Sequence, residues 1–140
     1  MTIMAMFRKR ARARQINHLS EIDDLMEGDQ PILIDFWQVG CGPCKVMDGI
    51  VNELAEEYAG TAQVVKVDVA RVPSAVQAFA VRSTPTFVVL GRSAKTSKKK
   101  RAKGAPAGKA KMTPRWRASG LVQKDQLERV LESNGAKRAG

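Results

Sequence analysis

Residues 31–45 read PILIDFWQVGCGPCK, and they hold both cysteines of a 140-residue chain, Cys41 and Cys44. Pro31 to Trp37 are apolar except for Asp35, the pattern of a strand buried on both faces. Beyond Cys41 the period changes: Met47, Ile50, Val51, Leu54, Ala55 and Tyr58 recur at helical spacing up to Gly60, which predicts a helix over residues 42–59. The two thiols therefore fall where a buried strand hands over to a helix. There the first sulfur meets free backbone N–H groups and the positive helix end, both of which favour thiolate over thiol. Cys41 is the candidate nucleophile. Cys44, nearly one turn along, is placed to attack a mixed disulfide formed at Cys41 and release the reduced product. Gly42 and Pro43 between them stiffen a tight turn with few donors to satisfy. The competing reading is half of a zinc site, but structural zinc takes four ligands, and the chain's one histidine, His18, lies more than twenty residues upstream.

Working outward, residues 13–17 form a short first strand and LSEIDDLMEG (19–28) a helix, with Ser20 and Asp23 as its cap and Gly28 as its stop. AQVVKVDV (62–69) is a second strand of the PILIDFW kind, and Pro73 opens the short helix PSAVQAFA (73–80). TPTFVVL (84–90) is a strand, and RWRAS (115–119) is its antiparallel partner. KDQLERVLES (124–133) puts Leu127, Val130 and Leu131 on one helical face and ends at Asn134-Gly135. The order β-α-β-α-β-α-β-β-α predicts an α/β fold, a central mixed sheet flanked by helices on both faces.

Composition limits what such a fold does. The length is that of one domain with a core of its own, and two cysteines are too few for a disulfide scaffold, so a catalytic or metal role is favoured. No apolar run approaches the roughly 20 residues of a bilayer crossing. The N-terminal MTIMAMFRKRARARQI puts its weakly apolar stretch before its charges, the reverse of a secretory signal, so the expected location is cytoplasmic. The net charge of +10 is unevenly spread. Residues 1–15 carry five positive and no negative charges, residues 16–90 four positive and eleven negative, and residues 91–117 eleven positive and none negative. The expected organisation is a flexible basic arm (1–12), one domain (13–133) interrupted by a disordered basic insertion (91–113), and a short tail (134–140). The insertion's Lys98, Lys99, Lys100, Arg101 and Lys103 suit non-specific contact with a polyanion. No aromatic residue lies in 93–113 to stack on bases, which argues against sequence reading. A solvated loop that aids solubility or steers acidic partners is the competing interpretation.

FWxxxCGPCK, an aspartate six residues before the first cysteine and a later Thr84-Pro85-Thr86 ahead of a strand together resemble the thioredoxin family. The resemblance covers roughly residues 13–90 and 116–133. It implies a cis peptide at Thr84-Pro85, no bound cofactor or metal but a redox-active Cys41–Cys44 disulfide, and reduction of client-protein disulfides with electrons from NADPH through thioredoxin reductase. A monomer is expected. Asp35, as a buried carboxylate, neutralises itself by a raised pKa, and the resemblance gives it proton exchange with Cys44. The alternative is a carboxylate facing water near a strand end. The resemblance places the Lys66 ammonium near Asp35, tuning it; the alternative is a solvated strand face. A cis turn at Pro85 presents the Thr84 backbone to an extended substrate, or Pro85 is an ordinary strand-opening proline. Gly120 matches a family glycine that lines the substrate groove with bare backbone, and Trp37 packs beside the site. Three positions depart from the family: Gly40 stands where tryptophan usually precedes the first cysteine, Gly49 replaces a helix-kinking proline, and Ala70 replaces an aspartate. They bear on partner choice rather than on the chemistry. A thioredoxin fold used only as a scaffold for the basic arms is the alternative function.

Overall fold

The computed structural model describes residues 12–93 and 111–139. The basic residues singled out at 98–101 and 103, and most of the N-terminal arm, lie outside the described residues. Along the chain run β1 (Arg14–Ile16), α1 (Leu19–Leu25), β2 (Ile32–Trp37), α2 (Gly42–Glu57), β3 (Gln63–Asp68), α3 (Pro73–Ala78), β4 (Thr86–Arg92), β5 (Met112–Ser119) and α4 (Lys124–Ser133). This is the expected order.

The strands form one sheet in the order β1-β3-β2-β4-β5. β1 and β2 are parallel to β3, β4 runs antiparallel to β2, and β5 antiparallel to β4. The central position of β2 explains its unbroken apolar run, because both of its faces are covered. On one face Leu33, Val64, Phe87 and Val89 pack with Met47, Val51 and Leu54 of α2 and Leu127 and Leu131 of α4. On the other, Ile32, Ile34, Phe36, Val65 and Val67 pack with Ile22 of α1 and Ala75 of α3. Alternation along β2 puts Asp35 with Leu33, on the face that α2 covers.

Three local expectations are corrected. Ser20 is not the cap of α1: His18 holds the N-cap position without a side-chain hydrogen bond. Instead Glu21, at the third helical position, reaches back to accept from the Asn17 N–H at 3.3 Å and from Arg14 at 3.2 Å, half of a capping box shifted by one residue. The helix also stops at Leu25, before Gly28, whose N–H bonds to the Leu25 carbonyl in a tight turn. Finally, the β4–β5 hairpin is longer than the apolar pattern predicts, pairing as far as Gly91 with Thr113 and Arg92 with Met112. The pattern fades there because β5 is an edge strand, its residues Thr113–Arg115 exposed and Pro114 accommodated at a register shift between Val89 and Leu90.

The last helix ends as Asn134-Gly135 predicts. Gly135 takes φ +103°, its N–H bonds to the Glu132 carbonyl, and the Ala136 N–H bonds to the Leu131 carbonyl, a Schellman motif. α3 closes in the same way, but with Ala80 at φ +51° where a glycine fits better.

Candidate active site

β2 delivers the chain to the site through a turn. The Cys41 N–H bonds to the Gln38 carbonyl at 3.3 Å, and Gly40, third in that turn, has φ +82°. A turn of this hand needs a residue free to adopt positive φ, and glycine supplies it. Gly40 is exposed, and nothing lies within 4 Å of where its Cβ would stand.

Cys41 is the N-cap of α2, and its sulfur accepts from the Cys44 N–H at 3.2 Å. Gly42 and Pro43 are the first two helical residues, both exposed, and Pro43 costs no hydrogen bond there. The cysteines are joined as a disulfide, with Cys41 part-exposed and Cys44 6 % exposed. One sulfur faces outward and the other inward, so Cys41 is the one a partner can reach. Reduction frees Cys41 as a thiol whose anion the same Cys44 N–H and helix end stabilise.

Beside Cys41 lies the chain between α3 and β4. The Cys41 sulfur is 3.6 Å from the Thr84 carbonyl oxygen, the Thr84-Pro85 peptide is cis, and Pro85 is buried. Gly120, at φ +86°, donates its N–H to the Pro85 carbonyl at 2.9 Å. Thr84, Pro85 and Gly120 thus come together with the cysteines although they are scattered in sequence. Val39 and Leu121 add exposed apolar surface near these two loops, at 78 % and 65 % exposure.

Asp35 lies beneath, 1 % exposed, and its Oδ1 has no hydrogen-bond partner. Burial lifts its carboxyl from an ordinary 3.8 to about 7, against the lowering pull of Lys66 and with a further push from Asp48. Lys66 is Asp35's neighbour across the β2–β3 ladder, yet its ammonium forms an ion pair with Asp48 and lies 5.0 Å from the centre of the Trp37 ring. Trp37, Gly40, Cys44, Asp48 and Lys66 line a common cavity of about 300 Å³. Asp48 was missed by the sequence reading. The signal was present, since Asp48 follows Cys44 by four residues and so stands one turn above it on α2, but its link to Lys66 exists only across elements. Among the described residues no three His, Cys, Asp or Glu side chains gather as a metal site would need, and His18 stands at the N-cap position of α1.

Residues 14–113 match the family model Thioredoxin. Thioredoxin 1 of a Nostoc species is 34 % identical over 77 residues, 55 % of this chain and 72 % of that protein. The thioredoxin of a Synechocystis species is 32 % identical over 75 residues, 54 % of this chain and 70 % of that one. Among solved structures, a mutant thioredoxin from Halobacterium salinarum superposes with a TM-score of 0.67 at 26 % identity, covering 91 % of this chain and 94 % of that chain. The family match runs from the start of β1 through the dithiol and the whole of β4. The chain therefore belongs to the thioredoxin family, and its Cys41–Cys44 pair makes it a thiol-disulfide oxidoreductase that works by dithiol-disulfide exchange.

Proposed function

We propose that the protein runs this exchange as a reductant of protein disulfides, recharged with electrons from NADPH through thioredoxin reductase. The observation that carries the reading is the buried, unpartnered Asp35 under a dithiol that begins a helix. A carboxyl with a pKa of about 7 is half ionised at neutral pH and so takes and returns a proton there.

In the reduced protein the Cys41 thiolate attacks one sulfur of a client disulfide. A Cys41–client bond forms, the client S–S bond breaks, and the other client sulfur leaves as a thiolate that takes a proton from solvent. Asp35 then accepts the Cys44 proton, directly or through water, and the Cys44 thiolate attacks the Cys41 sulfur. The Cys41–Cys44 disulfide forms and the second client thiolate departs, so the client gains two electrons that the dithiol loses. Lys66 limits how far the Asp35 pKa rises. An extended client backbone lies along Thr84, Pro85 and Gly120, with Trp37, Gly40, Gly42 and Pro43 forming the other wall.

This chemistry belongs in a reducing compartment, and the cytoplasm is the one inferred, with the protein acting there as an electron carrier and as a monomer. The insertion around Lys98–Lys103 gives it a non-specific hold on polyanions through counterion release. A scaffold without chemistry is the less favoured reading, since the family match includes the dithiol.

The test is NADPH-coupled reduction of insulin with a thioredoxin reductase, with Cys41→Ser as control. Turnover that vanishes in Cys41→Ser is expected. Absence of turnover in the parent chain, with its disulfide still reducible by dithiothreitol, would overturn the general-reductant reading.

A further inference from the structure

Asp35 and Lys66 are Cα partners on the adjacent strands β2 and β3, about 4.8 Å apart by the geometry of a sheet. A buried carboxylate and an ammonium so placed ordinarily pair, because the alternative leaves a charge without compensation. They do not pair here. Lys66 makes its ion pair with Asp48, whose side chain is 44 % exposed while that of Lys66 is 17 % exposed. The Trp37 ring, 5.0 Å from the ammonium, supplies a second attraction on the cavity side. Asp48 is itself held from the next turn of α2, where Asn52 Nδ2 donates to its Oδ2 at 3.5 Å. Asp35 Oδ1 is left without a partner.

We propose that Asp48 is a positioning residue for the exchange reaction: it draws the Lys66 ammonium to the cavity mouth and keeps it from neutralising Asp35, so that Asp35 stays a proton acceptor for Cys44. The inference rests on the reading of Asp35 as the proton-transfer group. Around Asp35, β3 contributes Lys66, α2 contributes Asp48, and β4 contributes the apolar Phe87. Asp48 therefore acts on Asp35 in two ways with one sign. Its own negative charge disfavours a second one nearby, and its grip on Lys66 weakens the cation's pull. Removing it releases both, and the Asp35 carboxyl becomes the stronger acid. An Asp35 that stays ionised is a weaker base toward Cys44, and the pH range in which it exchanges protons moves down.

The experiment follows the Asp35 carboxyl itself by ¹³C NMR titration of the oxidised full chain, with its resonance assigned from the Asp35→Asn spectrum. In Asp48→Asn, which keeps shape and removes charge, the Asp35 midpoint should fall by about one pH unit, the scale of one charge several ångströms away at an effective dielectric near 20. Asp48→Glu should restore it. In Lys66→Gln it should rise, and adding Asp48→Asn to Lys66→Gln should shift it by less than Asp48→Asn alone shifts the parent. Asp48→Ser serves in place of Asp48→Asn if that variant does not fold. A midpoint unmoved or raised by loss of the Asp48 charge overturns the proposal. The titration needs no turnover, so it stands apart from the test of the reductant reading. Loss of insulin reduction in the parent chain with a shifted midpoint would sink that reading alone, whereas normal turnover with an unshifted midpoint would sink this one alone. With both in place, the acid limb of the turnover profile should move down with the midpoint.

Discussion

At the residue scale Asp35 is a carboxylate 1 % exposed on the central strand. Its carboxyl is raised from 3.8 to about 7, chiefly by burial. Below about pH 4 the folded and unfolded chains both hold the proton, and the group costs little. Between 4 and 7 the unfolded chain gives it up first, so stability falls as pH rises, and above 7 the folded chain carries the buried charge in full. Asp35→Asn should therefore stabilise the oxidised protein by up to about 4 kcal/mol at pH 8 and by little at pH 4. Denaturant unfolding at the two pH values measures this, and an equal effect at both would refute the assignment. The same substitution should slow resolution of the Cys41 mixed disulfide by about tenfold to a hundredfold at neutral pH, if Asp35 is the base. The residue scale was partly legible in sequence. A lone carboxylate inside ILIDFW announces itself, and so does a dithiol at a strand–helix junction. Asp48 did not, because nothing in a row of helix residues says which of them faces a lysine from another strand.

At the element scale the helices owe their ends to different devices. α4 uses Gly135 at φ +103°, whereas α3 forces Ala80 to φ +51° at the equivalent position. A side chain there costs roughly 1–2 kcal/mol of backbone strain, and glycine gives back about half of that through its greater freedom when unfolded. Ala80→Gly should raise stability by about 0.5–1 kcal/mol, visible as a Tm several degrees higher, and a fall in Tm would show that the turn is not strained. Arg117 Nη2 donates to the Ala80 carbonyl at 2.7 Å, which ties this turn to β5. The turn before Cys41 shows the opposite economy. Gly40 adopts φ +82° freely, so a side chain there finds open space around its Cβ but meets backbone strain. The family's usual residue is thus not a simple replacement in this chain. Apolar periodicity sufficed to find the elements, because each buries one or both faces. Their ends were harder: α1 is capped by Glu21 rather than Ser20, and the Gly28 stop lies three residues late, since ends depend on single hydrogen bonds rather than on a repeated pattern.

At the scale of the whole molecule, the sheet separates the chemistry from the strand ends of the β4–β5 hairpin. Phe36 of β2 pairs with Thr86 at the site end of β4, and Ile32 pairs with Leu90 at the other. β4 then continues to Arg92, so the paired ends Arg92 and Met112 stand about 20 Å from Thr86, at the pole away from the dithiol. Replacing residues 94–110 with a two-residue Asn-Gly turn should leave insulin reduction within about twofold of the parent, since two-residue loops of this kind close such hairpins. A loss of turnover would show that the insertion takes part in client binding. Binding of the full chain to a mixed-sequence DNA duplex should weaken with salt at a log–log slope of roughly −5, for about six neutralised phosphates, and the shortened chain should lose most of that slope. A slope near zero would remove the polyanion role.

The sequence by itself determined the order of elements, the burial of the strand that leads into the dithiol and the place of the dithiol, because these follow from period, breaker residues and one short motif, all local. It also carried the charge division between body and arms, which is a matter of counting. Only the tertiary structure decided what surrounds the dithiol. Thr84 lies against Cys41 just ahead of β4, Gly120 bonds to Pro85 from the end of β5, Asp48 captures Lys66 across a helix and a strand, and Asp35 Oδ1 is left without a partner. Those relations are set by register and by the packing of α2 on the sheet. A local pattern fixes which face a side chain takes, but not which distant side chain it meets there.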